Sequence, residues 1–172
     1  CHNSTIYIFG GLNVGEEKVF NDLFALDTET AEWRKLSPSG EAPCPRNEHA
    51  AELVGDKMVV FGGSSPEVEE VYNDVHVLSL ADDSPVWSQA SCSGPAPTPR
   101  EMHSMFSSRH TSLSDLSCDN STTVKLHVLG GRESGSGSVC SDLCTLSLDD
   151  FTWEAPVELP DFRRCSHTAG MV

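Results

Sequence analysis

The stretch that decides the fold is MVVFGG at residues 58–63, an apolar run closed by two glycines. Two similar stretches occur in the chain, IYIFGG at residues 6–11 and LHVLGG at residues 126–131. A short apolar run that ends in turn residues is typical of a β-strand buried on both faces. Its recurrence therefore predicts several copies of one unit that contains this strand.

Further markers follow each glycine pair in the same order. An aspartate lies eleven residues after the second glycine, a tryptophan lies 22 to 24 residues after it, and an Arg-x-x-His sequence follows. Such regular order indicates an internal repeat with a period of about 50 residues. The markers are Gly10, Gly11, Asp22, Trp33, Arg46 and His49; Gly62, Gly63, Asp74, Trp87, Arg100 and His103; and Gly130, Gly131, Asp142, Trp153, Arg164 and His167.

Each unit contains four short segments that are apolar or alternate between apolar and polar residues. Clusters of proline, glycine, serine and aspartate separate them, which is the chemistry of turns. No segment shows the periodicity of a helix. Four short strands per unit at this period predict an all-β fold and describe the blade of a β-propeller.

The markers resemble the kelch repeat family, in which Gly-Gly follows an apolar strand and Pro-Arg-x-x-His precedes the next blade. Residues 45–49 and 99–103 carry this last motif in full, whereas Arg163 replaces the proline before Arg164. The resemblance covers nearly the whole chain. It implies a kelch-type β-propeller, here a partial arc of about three four-stranded antiparallel blades from a six- or seven-bladed ring.

If the histidine-bearing strand is counted as the first strand of each blade, residue 1 falls within a blade. Residues 1–36 are expected to supply strands two to four of one blade, 46–91 and 100–157 two full blades, and 167–172 the first strand of another. The second full blade carries a Ser-rich insert at 109–122, which we expect to be disordered. An open arc exposes apolar flanks, so the remaining blades are expected from the same chain or a second copy.

Composition limits the class of partner. The 172 residues include 26 acidic and 11 basic side chains, for a net charge of −15. A protein that binds phosphate backbones needs a basic surface, so the charge excludes nucleic acid. The chain has no apolar run of about 18 residues, and we expect no membrane span. A protein or peptide partner, basic rather than acidic, fits this composition.

Cysteine usage bears on the compartment. The seven cysteines are odd in number and unevenly spaced, which fits a disulfide framework poorly. We therefore expect reduced thiols and a cytoplasmic or nuclear location. Asn-Ser-Thr triplets at Asn3 and Asn120 keep an extracellular location open as the less favoured alternative.

The repeated residues are expected to serve the scaffold. The glycines permit positive φ, the tryptophans pack between blades, and the repeated arginine and aspartate pair within or between blades, with direct partner contact as the alternative. Equivalent histidines of adjacent blades lie too far apart to bind one metal. No nucleophile-elbow or dinucleotide-binding motif occurs, so we expect no catalytic residue, metal or cofactor in this segment.

The connections between strands are expected to lie on two opposite faces of the propeller. Connections from strand two to strand three and from blade to blade share one face, through which kelch proteins similar to this chain bind partners. The alternative is an acidic surface that only keeps the protein soluble. The candidate partner-binding residues on this face are Glu16, Glu17, Arg46, Glu48, Glu67, Glu69, Glu70, Arg100, Glu101, Arg132, Glu133, Arg163 and Arg164.

The sequence predicts a protein-interaction module, either a scaffold or a substrate-recognition propeller such as that of a ubiquitin ligase adaptor. The alternative is a non-catalytic propeller fused to an enzyme domain of the methyltransferase or phosphatase type. A metal-dependent kelch enzyme is a more remote alternative. Fold alone does not choose among these functions, because kelch propellers serve many unrelated tasks.

Overall fold

The computed structural model describes residues 4–82, 84–111 and 122–170, and within these ranges the chain forms strands and no helix. The described part accordingly contains no helix of the length and apolarity needed to cross a membrane. Most of the predicted insert, together with Cys118, Asn3 and Asn120, lies outside the described residues.

Sixteen strands follow one another along the described chain. They are β1 (Thr5–Asn13), β2 (Lys18–Asp27), β3 (Trp33–Leu36), β4 (Ser39–Gly40), β5 (Ala50–Val54), β6 (Lys57–Phe61), β7 (Ser64–Ser65), β8 (Glu70–Val71), β9 (Val75–Ser79), β10 (Val86–Gln89), β11 (Arg100–Glu101), β12 (Ser104–Thr111), β13 (Thr122–Leu129), β14 (Arg132–Glu133), β15 (Asp142–Ser147) and β16 (Val157–Glu158).

The longer strands form three antiparallel sheets, each from consecutive segments of the chain. The first sheet has the order β1-β2-β3, the second β5-β6-β9-β10, and the third β12-β13-β15-β16. Trp153 extends the last strand of the third sheet through a bridge to Leu146. The all-β prediction is confirmed. Residues 167–170 form no strand, so the first strand predicted for residues 167–172 stays a prediction.

The repeated glycine pair lets neighbouring sheets approach closely. Gly10 and Gly62 have φ values of +62° and +64°, a region that favours glycine. A Cβ atom on Gly10 would lie 2.7 Å from the Arg46 carbonyl oxygen, and one on Gly62 would lie 2.7 Å from that of Arg100. Glycine is therefore required at the first position of the pair, where the segment that leads into the next sheet passes close to the backbone.

A further repeated glycine, which the sequence analysis did not single out, lies seven residues after the tryptophan. Gly40 belongs to β4, which pairs in parallel with β10 and so joins the first unit to the edge of the second sheet. A Cβ atom on Gly40 would lie 2.1 Å from the Trp87 carbonyl oxygen, and one on Gly94 would lie 2.2 Å from that of Trp153. The Trp-x6-Gly spacing could have revealed this contact.

The core lies between successive sheets. The Phe9 ring of the first sheet packs on Trp87 of the second, with ring centroids 5.1 Å apart. The Phe61 ring of the second sheet packs on Trp153 of the third, at 5.4 Å. Trp87 and Trp153 are both buried. Trp87 and Trp153 thus pack between neighbouring sheets.

The first sheet departs from this pattern on its outer face. Trp33 is 57% exposed, and Ile6 and Ile8 of β1 are each 43% exposed. The physical reason is that no described sheet covers this side, whereas the first sheet covers Trp87 in the second. The predictions that Trp33 packs between blades and that β1 is buried on both faces therefore stay predictions.

Candidate protein-interaction face

Two of the repeated arginines are held inside the protein by the aspartate of the next repeat unit along the chain. The Arg46 guanidinium donates from Nη1 and Nη2 to the two carboxylate oxygens of Asp74, at 2.6 and 2.9 Å. Arg100 donates to Asp142 in the same way, at 2.7 and 2.9 Å. Such bidentate pairs are strong and fix the planes of both groups. The two arginines are 0% and 1% exposed.

The backbone of each arginine is bound to the preceding sheet. The Gly11 N–H donates to the Arg46 carbonyl oxygen and the Gly63 N–H donates to that of Arg100, both at 2.9 Å. One residue thus joins two sheets, through its carbonyl on one side and its guanidinium on the other. Arg46 and Arg100 were expected on the partner-binding face, and we remove them from it because a buried guanidinium presents no surface.

The aspartates of these pairs are held in the charged form. Burial by itself raises the pKa of Asp74, but hydrogen bonds from Arg46 and His76 outweigh it and hold that pKa well below its usual range. Burial likewise raises the pKa of Asp142, and the Arg100 guanidinium more than offsets it, so this pKa is also lowered. The ion pairs therefore persist at neutral pH.

The repeated histidines pack between neighbouring sheets. His49 meets the Phe9 ring edge-on with centroids 5.4 Å apart, and His103 meets Phe61 at 5.2 Å. Burial, aided by the nearby arginine charge, lowers the pKa of His49 to about 4 and that of His103 to about 3. Both rings are neutral at pH 7, which suits packing on an aromatic side chain.

A chain of hydrogen bonds connects the residues that precede these histidines. Glu48, Met102 and Ser166 occupy equivalent positions and have φ values of +55°, +56° and +53°. The Met102 N–H donates to the Glu48 carbonyl oxygen at 2.9 Å, and the Ser166 N–H donates to that of Met102 at 2.8 Å. The repeated backbone geometry thus places one variable side chain per unit along a common line.

At the start of this line, two carboxyl groups lie close to each other and to one guanidinium. Glu101 is buried at 8% exposure and accepts hydrogen bonds from the Arg132 guanidinium, with Nε at 2.8 Å. Glu48 is an exposed residue, yet desolvation of its carboxyl and the adjacent Glu101 raise its pKa to about 7. The single cation here pairs with Glu101 and leaves Glu48 without an ion pair among the described residues.

The loops after the glycine pairs lie side by side. The Glu67 carboxylate accepts the Val19 N–H at 3.0 Å, which joins the second loop to the first. In the next unit, β11 pairs with β14, and the Thr98 hydroxyl donates to Glu133 at 2.8 Å. These contacts bring neighbouring loops together, and the prediction that all of them form one binding face stays a prediction.

The other candidate residues on this face remain accessible. Glu16, Glu17, Glu69 and Glu70 are exposed and form no ion pair within the described part of the chain. Arg163 and Arg164 are also exposed, and the Arg164 guanidinium lies 5.5 Å from the centre of the Phe162 ring. The face therefore has acidic loops on the first two units and free guanidinium groups beside the third.

No group of three or more His, Cys, Asp or Glu side chains in residues 4–82, 84–111 and 122–170 is arranged to hold a metal ion. Cys144 donates its thiol hydrogen to Asp142 at 3.3 Å, and Cys140 is buried as well. These two thiols lie beside the buried Arg100–Asp142 pair and belong to the interior of the third sheet.

The repeated sequence is matched among known proteins. The family described as KLHDC2/KLHL20/DRC7 Kelch-repeats domain matches residues 1–154. The chain belongs to the kelch-repeat family. Its sheets are accordingly blades of a partial kelch β-propeller, and the Arg–Asp pairs described above join successive kelch units.

Two curated kelch relatives illustrate the extent of the match. Host cell factor 1 of Homo sapiens is 34% identical over 169 residues, which cover 91% of this chain and 8% of that protein. Kelch domain-containing protein 3 of Bos taurus is 37% identical over 89 residues, 46% of this chain and 23% of that protein. The chain thus spans less than a quarter of the length of either relative.

Proposed function

We propose that this kelch segment is a non-catalytic interaction module that binds a partner protein or peptide. Its binding face is made of the loops after the glycine pairs and the connections between units. Such a segment would serve as part of a scaffold or of a substrate-recognition propeller. Recognition concentrates on loops that a rigid scaffold positions, and the three joined sheets supply that scaffold.

The observation that carries this proposal is the division of charged residues between interior and surface. Repeated charged residues such as Arg46 and Asp74 form ion pairs that join the units. Charges in the loops, such as Glu16 and Glu69, differ between units and face solvent without an ion pair among the described residues. A residue that varies between units of one scaffold is free to serve recognition.

The charge of the chain favours a basic partner. With a net charge of −15, the chain attracts cationic surfaces at long range and repels acidic ones. Arg163 and Arg164 give the face a second kind of contact, because guanidinium groups bind carboxylates such as a peptide C-terminus.

We also propose a cytoplasmic or nuclear location. The cysteines in the described ranges are unpaired thiols, namely Cys44, Cys92, Cys140, Cys144 and Cys165. Reduced thiols are usual in these compartments. Alkylation of the native protein with and without prior reduction would test this proposal, since equal labelling supports it and a gain after reduction contradicts it.

Charge reversal on the loops tests the binding face. Partner capture by the intact protein should weaken in the triple variant Glu16→Lys, Glu69→Lys, Glu70→Lys, with an unchanged melting temperature, because these side chains are exposed. Glu67 is left unchanged, since its carboxylate holds the Val19 N–H.

The matched control reverses two exposed aspartates, Asp82→Lys and Asp149→Lys, in the turns between the third and fourth strands. In an antiparallel sheet these turns lie at the opposite end from the tested loops. Capture that survives the loop variant, or that falls equally in both variants, would contradict the proposal.

A further inference from the structure

A groove lies between the loops that follow the first two glycine pairs. Leu12, Val14 and Glu17 line it from the first loop, and Pro66 and Glu67 line it from the second. Its volume of about 390 Å³ is within the range of roughly 300–1,000 Å³ that small-ligand clefts occupy. The groove is therefore large enough to enclose a side chain of a bound peptide.

The surface around this groove is unusually apolar for loop tips. Val14 is 78% exposed and Val68, next to Glu67 in the second loop, is 59% exposed. These are the two most exposed large apolar side chains in the described ranges, and Leu12 adds a third at 38%. Clustered apolar groups that remain in water often mark an interaction site.

The two walls of the groove are held together before any partner binds. The Glu67 carboxylate accepts the N–H of Val19, a buried residue of β2. The second loop is closed by the β7–β8 hairpin, in which Ser64 pairs with Val71 and Ser65 with Glu70. A preformed site loses less conformational entropy on binding than one that must first order.

The charged side chains of the two loops that form the groove are mostly negative. Glu16, Glu17, Glu67, Glu69 and Glu70 all belong to these two loops, and none forms an ion pair among the described residues. Lys18 is the one cation in the same stretches, and its ammonium lies over the Phe20 ring at 5.2 Å. The apolar floor therefore has a strongly acidic rim.

We propose that this groove binds an apolar side chain of a partner peptide whose neighbouring residues are lysine or arginine. The apolar side chain fills the space between Leu12, Val14 and Pro66, and the flanking cations pair with the glutamates of the rim. This inference rests on the proposed function and specifies the partner class for one part of the face.

The equivalent loop of the third unit lacks both features. Residues 132–138 read RESGSGS, with no apolar side chain after the glycine pair and one glutamate that the Thr98 hydroxyl binds. The peptide is therefore assigned to the first two units, and the third loop serves as an internal comparison.

The test uses four short labelled peptides with blocked ends and the intact protein. One has a central leucine flanked by lysine and arginine, one replaces the leucine by serine, one replaces the cations by glutamine, and one replaces them by glutamate. Fluorescence anisotropy should show binding of the first peptide, with affinity at least about tenfold lower for each of the others. Raised salt should weaken the first complex, because its ion pairs are exposed.

Variants locate the site on the protein. Val14→Ser should lower the affinity for the leucine peptide at least about fivefold and leave the serine peptide unaffected, since Val14 lines the groove and only the apolar contact changes. Glu17→Gln with Glu69→Gln should weaken both basic peptides. The matched controls Val157→Ser and Glu32→Gln alter exposed residues outside these two loops, in β16 and in the turn between β2 and β3, and should change neither.

Each contrary result has a distinct meaning. Equal binding of the leucine and serine peptides would overturn the proposal, because the groove would then hold no apolar side chain. Self-association that Val14→Ser abolishes would overturn it too, since a second copy would cover the groove. If neither basic peptide binds while partner capture still depends on the loop glutamates, this inference fails and the proposed function stands. If capture is also insensitive to those glutamates, both fail.

Discussion

Strands β1 and β6 have nearly the same sequence pattern and different environments. In β6, the residues from Met58 to Phe61 are all buried, whereas in β1 Ile6 and Ile8 are each 43% exposed. Both strands are followed by Gly-Gly and both pair with the next strand of their unit. The difference arises because β6 lies between two sheets and β1 has a described sheet on one side only.

This comparison shows that the stabilising core of the chain belongs to the junctions between units. Phe9, Trp87 and His49 form one junction, and Phe61, Trp153 and His103 form the next with similar ring distances. In repeat proteins the stability is approximately a sum of unit and neighbour terms. A residue at a junction should therefore matter far more than its equivalent at an open side.

The largest expected contrast is between the tryptophans. Trp87→Ala and Trp153→Ala should each lower the free energy of unfolding by about 3–5 kcal/mol, because each removes a buried aromatic ring. In the 172-residue chain, Trp33→Ala should change it by less than about 1 kcal/mol, since that ring is mostly exposed there. Chemical denaturation of this chain measures all three. Equal losses at Trp33 and Trp87 would mean that a further sheet, such as one from a second copy, covers Trp33.

The arginines give the next contrast. Arg46→Met and Arg100→Met should each cost about 3 kcal/mol, because the substitution leaves a partly buried aspartate without its ion pair. In the 172-residue chain, where no following unit is described beside it, Arg164→Met should cost well under about 1 kcal/mol, since this guanidinium is exposed. The double variants Arg46→Met with Asp74→Leu, and Arg100→Met with Asp142→Leu, should recover part of the loss. No recovery would show that the hydrogen bonds from the guanidinium to backbone carbonyl oxygens, those of Cys44 and Gly62 for Arg46, outweigh the ion pair.

The histidines extend the comparison to pH. Because the folded-state pKa of His103, about 3, lies below the unfolded value near 6.5, the unfolded state binds more protons as the pH falls. Stability should therefore decline from about pH 6.5 downwards, by about 2 kcal/mol at pH 5 for this residue. His103→Leu should flatten this decline in melting temperature, and His167→Leu should flatten it less. Identical profiles for both variants would show that burial of His103 is not the cause.

The smallest expected effect concerns Glu48, whose equivalents are Met102 and Ser166. Its folded-state pKa of about 7 lies above the unfolded value, so its contribution to stability decreases as the pH rises towards 7. Glu48→Gln should raise the melting temperature slightly at pH 8, by less than about 1 kcal/mol in free energy because solvent screens the site. It should leave the melting temperature unchanged at pH 5. A stabilisation that is equal at both pH values would contradict repulsion by Glu101.

Much of the architecture could be predicted from particular residues. The Gly-Gly pairs, the tryptophans and the Arg-x-x-His motifs predicted repeated units of short strands, because these residues recur at positions with special backbone or packing needs. The Trp-x6-Gly spacing of Gly40 and Gly94 is an equally regular signal that the sequence analysis overlooked. Local structure can be predicted from the sequence where one position has the same backbone or packing role in every unit.

The candidate site was predicted less completely. Arg46, Arg100 and Glu101 were expected on the binding face with the loop glutamates, and the structure buries all three. Their position in the sequence predicted that they lie near that face. Whether each side chain is buried or exposed depends on how the next sheet packs against it. The two residues that bind Arg100 and Glu101, Asp142 and Arg132, are 42 and 31 positions away along the chain.

The sequence by itself determined the repeat, the all-β class and the excess of negative charge, because these depend on residue type and spacing alone. The tertiary structure decided which of the equivalent residues are buried, which arginines are consumed in ion pairs and which loops meet at a groove. These properties depend on the neighbouring sheet. One repeated position can thus be core in the second unit and surface in the first, since burial is a relation between units and not a property of one.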